Sequence, residues 1–188
     1  MIMRGLLLLA RGNAKGIEEF GTGEDAFAAS LAPLIAFPLV GALLSLVAGD
    51  WKSALLGLLS RLCTVLALPV ITYEFARLFG RRELWLRTAT ALNWCFWLVL
   101  PAILVAAFIG SILVQFGLKM DQVEMAVLGL IGLYLLWNRW FVFRNGLQLN
   151  IWRALLVLLA SIAVTGAFAA LPWATGLPLA STEITSLP

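Results

Sequence analysis

Five stretches of this chain are uncharged or nearly so over the ~20 residues that a helix needs to cross a bilayer. They fall at 29–49, 53–78, 90–115, 125–143 and 151–171. The first carries no charge, and the second is apolar apart from Arg61 and, at its far end, Glu74 and Arg77. The third has no charge anywhere between Arg87 and Lys119. That interval is longer than one straight crossing needs and too short for two, so it predicts a tilted or kinked helix with Pro101 near its middle.

Composition makes the bilayer the expected solvent. Only 12% of the 188 residues are charged and 62% are hydrophobic, where a soluble domain carries about 25% charged residues. So few charges cannot cover a water-soluble surface of this size. The fold class expected is therefore all-α: a polytopic helical membrane bundle of five spans.

The linkers "DWK", "GRRELWLR", "KMDQ" and "RNGLQLN" are too short to hold a soluble domain. Asn145-Gly146 reads as a helix stop, because both residue types tolerate the left-handed conformation. Residues 1–28 read as an amphipathic, cytoplasmic N-terminal segment lying on the membrane surface, with Arg4, Arg11 and Lys15 toward lipid headgroups; a frayed tail is the plainer alternative. The apolar core of that segment, Gly5 to Ala10, is shorter than a signal-peptide core. Residues 174–188, rich in Pro, Ser and Thr, read as a flexible tail. Cys63 and Cys95 lie inside apolar stretches, belong to no CxxC pair and read as small hydrophobes.

Five crossings put the two ends on opposite faces. Arg4, Arg11, Lys15, Arg77, Arg81, Arg82, Arg87, Arg139, Arg144 and Arg153 then share one face, against Lys52 and Lys119 on the other. Positive loops stay inside, so the expected N-terminus is cytoplasmic and the C-terminus outside, in a bacterial inner membrane. Trp51 and Trp173 would flank the outer boundary, and Trp85, Trp137, Trp140 and Trp152 the inner one.

Arg61 is the anomaly. Entering from the outer face, it lies roughly 12 Å down its helix at 1.5 Å per residue. Its side chain either snorkels to the outer headgroups or points inward to a partner or a water-filled cavity. No carboxylate lies at matching depth, so an inward Arg61 requires a carbonyl, a lipid phosphate, another subunit or an anionic ligand.

Chemistry for catalysis is missing from the pattern. The chain has no histidine, which removes bis-histidine haem, most zinc and copper sites, and histidine acid–base catalysis. Glu74, Asp121 and Glu124 sit at span edges, whereas a proton- or sodium-coupled carrier usually needs an acid near mid-membrane. No P-loop, GxGxxG or GxSxG appears. The expectation is a non-enzyme with no cofactor, no metal site and no nucleic-acid partner.

Packing features remain. Gly41/Ser45/Gly49, Ala102/Ala106/Gly110 and Ser161/Thr165/Ala169 each place small residues four apart, suited to close helix contact within the bundle or with a partner protein or second copy. Asn93, Trp94 and Trp97 form a candidate contact for a ligand or partner, a lipid or quinone head among them; an interhelical hydrogen bond from Asn93 is the plainer reading. Arg77, Arg81, Arg82 and Arg87 are candidate contacts for anionic membrane lipid, or serve only to fix orientation.

The segment "ITYEFARLFGRRELWLRTATALNWCFWLVLPAILVAAF" resembles the second helix, loop and third helix of the Yip1-like family of small five-span membrane proteins, and the likeness extends to about Leu171. The resemblance is one of topology. The DLYGP-type motif of that family's trafficking members is absent, so no functional residue carries over. The function expected is an accessory or scaffolding component of a membrane assembly. The alternative is a small carrier, or a lipid- or quinone-binding protein, with a polar cavity near Arg61 and Asn93. Compartment-sensitive reporters fused to the two chain ends should read opposite sides of the membrane, the N-terminal one inside; both reading the same side would overturn the odd number of crossings.

Overall fold

The computed structural model describes residues 2–49, 51–117 and 119–174. Seven α-helices account for most of them: α1 Ile2–Ala10, α2 Glu24–Val47, α3 Trp51–Leu78, α4 Trp85–Cys95, α5 Val99–Gln115, α6 Met120–Gly146 and α7 Ile151–Ala174. No strand occurs among the described residues. Five helical stretches are long and apolar enough to cross a membrane: Glu24–Val47, Ala54–Leu78, Arg82–Gln115, Met120–Gly146 and Ile151–Ala170. The chain is an all-α, multi-pass membrane bundle. The Trp173 side chain and the tail after Ala174 lie outside the described residues.

Helix ends follow local chemistry more closely than hydropathy does. α2 starts at Glu24 rather than 29, because Glu24 and Asp25 occupy its first turn, where carboxylates meet the positive end of the helix dipole. Gly49, Gly80 and Gly117 adopt positive φ just after α2, α3 and α5, the conformation that terminates a helix.

Asn145 and Gly146 are the last two residues of α6, but neither takes the left-handed conformation. Both residues are helical, and the left-handed position is Gln148 at φ 52°. The Leu149 N–H donates to the Arg144 carbonyl at 2.8 Å, closing a Schellman-type end one step later. The reason is tertiary. A Cβ on Gly146 would sit 2.7 Å from Oγ1 and 2.8 Å from Cγ2 of the fully buried Thr88. Gly146 stays helical because α4 packs directly on its backbone.

The third crossing breaks just before Pro101. α4 and α5 are joined by a 3-10 turn over Phe96–Leu98. A proline ring excludes the carbonyl four residues earlier, here that of Trp97, from helical bonding, and proline is tolerated in a helix's first turn. Pro101 therefore occupies the first turn of α5, and the 3-10 turn just ahead of it lies near the middle of the Arg82–Gln115 stretch.

α4 is the hub. Residues 88–93 are buried without interruption, so neighbours surround this helix on all sides: α2, α3, α6 and α1. Thr88, Ala89, Thr90 and Ala91 are small enough to permit that approach. The two threonine hydroxyls donate back to the carbonyls of Leu84 and Leu86 at 2.7 and 2.8 Å and demand no partner outside the helix.

The N-terminal residues complete this hub. α1 and a 3-10 turn over Ala14–Glu19 fold onto one another through Gly5 and Gly16. A Cβ on Gly16 would lie 2.7 Å from the Gly5 carbonyl oxygen. Leu6, Leu9, Ile17 and Phe20 join one core with Ala91, Leu92, Val142, Phe143, Leu147 and Val157. Leu6 and Leu9 are covered by protein, while Ile2, Met3 and Leu7 of the same helix are exposed. Arg4, Arg11 and Lys15 remain exposed, with Arg4 3.5 Å from Glu19.

The core thus gathers at the arginine-rich end of the bundle. α6 has 27 residues, about 40 Å of helix against a hydrocarbon thickness of about 30 Å. The surplus gives this end room to stand beyond the lipid. At the opposite end, large apolar side chains such as Val47, Leu104, Phe108 and Met125 are exposed, as lipid-facing residues are. Replacing Gly146 with alanine should cost about 1–3 kcal/mol by overpacking the α4–α6 contact. Graded denaturation in detergent micelles measures it, with Gly129→Ala, at an open position, as the near-neutral comparison.

Candidate functional site

The polar side chains in the apolar zone fall into separate places. Asn93, 2% exposed, donates from Nδ2 to the Ser30 hydroxyl on α2 at 2.9 Å. Ser30 in turn donates to the Phe27 carbonyl at 2.7 Å. This relay ties α4 to α2.

Arg61 lies elsewhere. Its Nη1 is 2.7 Å from the point a Gly41 Cβ would occupy, so the guanidinium rests directly on the α2 backbone at Gly41. The residue is exposed, and among the described residues it makes no ion pair. Ser30 and Gly41, the respective contacts of Asn93 and Arg61, are roughly 16 Å apart along α2 at 1.5 Å per residue. Arg61 and Asn93 therefore do not come together around one cavity.

Trp94 is half-buried and packs against the main core. Trp97 lies in the α4–α5 bend with its ring centroid 5.8 Å from that of Phe37. Its indole Nε1 is buried without a hydrogen-bond partner, and like Asn93 it faces α2, where Phe37 lies two turns beyond Ser30.

The arginines of the second loop have different surroundings. Arg77 is 3.6 Å from Glu74, both exposed. Arg81 is exposed. The Arg82 guanidinium lies over the Tyr73 ring, 5.3 Å from its centroid, and Arg87 is half-buried with its Nε unpartnered. Arg144 over Trp140 and Arg153 over Phe79, at 5.4 and 5.2 Å, repeat the cation-on-ring arrangement.

Trp85, expected at the inner boundary, packs against protein. Its indole donates to the Pro69 carbonyl at 3.0 Å, and its ring stands 5.5 Å from Phe27 and 5.0 Å from Tyr73. It is a wedge between α2 and α3.

Sequence reasoning missed Tyr134 and Asn138. Their side chains donate to the carbonyls of Ala10 and Leu9 at 3.3 Å each, satisfying the C-terminal end of α1. Two polar residues four apart in an apolar span were an available signal, since that spacing places both on one helix face. Ser60, which donates to the Phe168 carbonyl at 2.7 Å and links α3 to α7, left no comparable sign.

Among the described residues no three His, Cys, Asp or Glu side chains gather as a metal site. No protein-family model matches the chain, and no curated protein or solved structure is similar enough to match it.

The Asn93–Ser30 bond makes a specific prediction. Asn93→Ala and Ser30→Ala should each lose about 0.6–2 kcal/mol. The double variant should lose less than the sum, because both remove one interaction. Strict additivity in a denaturation cycle would mean that the bond contributes nothing.

Proposed function

We propose that this protein is a non-enzymatic accessory or scaffolding component of a bacterial inner-membrane assembly, acting through lateral helix contacts, with its arginine-bearing turns in the cytoplasm. The observation that carries this reading is the unequal packing of the five crossings. α3 packs extensively against both α2 and α7, whereas α5 packs chiefly on α6 and the 3-10 turn before it.

Small residues make the α5–α6 contact. Ala106 and Gly110 are buried, and a Gly110 Cβ would stand 3.3 Å from Val123 and Val127. The Ala102/Ala106/Gly110 face is therefore used inside the chain. The rest of the hairpin is open: Leu104, Val105, Phe108, Leu128 and Leu133 are exposed, and nothing lies within 4 Å of a Cβ at Gly129 or Gly132. Glycines on an open apolar face allow another helix to approach closely.

Arg61 fits this reading as an exposed residue with no ion pair among the described residues, its guanidinium resting on α2 at Gly41. Asn93, the other polar group of the alternative carrier reading, is bonded to Ser30. Arg61→Leu should therefore leave function and folding nearly unchanged.

Photo-crosslinkers at Leu104 and Phe108 in intact membranes should trap one defined protein or a second copy, while the same probe at exposed Val164 on α7 should not. Gly132→Leu should abolish the product without lowering stability. A clean monomer after gentle extraction, with no product from either hairpin position, would sink the scaffolding reading. Loss of solute transport or ligand binding in a folded Arg61→Leu variant would favour the carrier.

A further inference from the structure

A groove of about 380 Å³ opens between α2 and α3, lined by Phe27, Leu31, Leu66, Pro69 and Tyr73 with Trp85 as its end wall. It presents only apolar surface. Leu66, Pro69 and Tyr73 recur at three- and four-residue spacing, so the groove runs lengthwise along α3 for about 10 Å at 1.5 Å per residue.

The two sides of its mouth carry opposite charge. On the α3 side, Arg82 lies 5.3 Å over the ring of Tyr73, itself a lining residue. On the α2 side, Glu24 precedes the lining residue Phe27 by three positions and shares its helix face, with Asp25 next to it. Arg77 is paired with Glu74, while Arg82 has no carboxylate partner among the described residues. A purely anionic headgroup would meet these carboxylates unfavourably.

We propose that this groove holds one acyl chain of a zwitterionic, amine-bearing phospholipid, its phosphate against Arg82 and its ammonium toward Glu24. Trp85 is fixed for this role, because its indole N–H is held by the Pro69 carbonyl and its ring is braced by Phe27 and Tyr73. The assignment is independent of the scaffolding reading, since it uses α2–α4 and not the open hairpin.

Native mass spectrometry of the full chain in detergent tests it, with equimolar phosphatidylethanolamine, phosphatidylglycerol and diacylglycerol of matched chains. One phosphatidylethanolamine should be retained in preference to both others. Arg82→Gln should lower its retention about fivefold, the effect of one arginine near a lipid surface, and Arg82→Lys should restore part of it. Val70→Trp, which fills the groove from an exposed position, should abolish retention without lowering the melting temperature. Glu24→Gln should erase the preference over phosphatidylglycerol. Equal retention of diacylglycerol, a preference for phosphatidylglycerol, or unchanged retention in both Arg82→Gln and Val70→Trp would overturn the proposal. So would finding a protein helix, rather than a lipid, held on α2–α3.

Discussion

The close approach of helices around α4 is the constraint on which the rest of this structure depends. A helix packed closely on every face favours small, apolar or internally bonded side chains, and 88–93 supplies them: Thr, Ala, Thr, Ala, Leu and Asn. The neighbours conform. Gly146 gives up its Cβ to Thr88, Ser30 meets Asn93, and α1 is drawn in to cover Leu92 and Val142. The positive φ of Gln148 follows as well. α6 stays helical through Gly146, and a non-glycine residue then adopts a conformation costing about 1–2 kcal/mol. The contact with α4 offsets that cost.

Two physical regimes meet along the bundle. At the arginine-rich end, burying apolar side chains removes them from water, and the structure builds a continuous core as a soluble protein does. In the lipid zone, lipid tails are as apolar as leucine, so helix association relies on packing and interhelical hydrogen bonds. The contacts there match that regime: Gly110 against Val123 and Val127, and Ser60 bonded to Phe168. α5 packs chiefly on α6, and among the described residues no polar side chain ties it to α2, α3 or α7.

Charges are placed by the same logic. At the arginine-rich end the guanidiniums of Arg82, Arg144 and Arg153 lie on aromatic faces, which gives each cation an apolar support while its edge stays accessible. Arg61 has no such ring and rests on the α2 backbone at Gly41 instead.

The sequence by itself determined the solvent and the number of crossings. Charge-free stretches near the thickness of a bilayer can be satisfied only by helices that span it, because unbonded backbone groups in hydrocarbon are too costly. It also pointed to an irregularity near Pro101 in the third crossing, where a 3-10 turn separates α4 from α5, although Pro33, Pro38 and Pro69 are carried inside continuous helices. Tertiary structure decided the rest. That Asn93 meets Ser30, that Arg61 rests on Gly41 some turns away, that Trp85 is a wedge and that α1 belongs to the core are all relations between distant segments. Hydropathy and spacing describe one helix at a time. They mark a face as small or polar without saying which other helix it will meet, and in this bundle that choice set the place of every candidate residue.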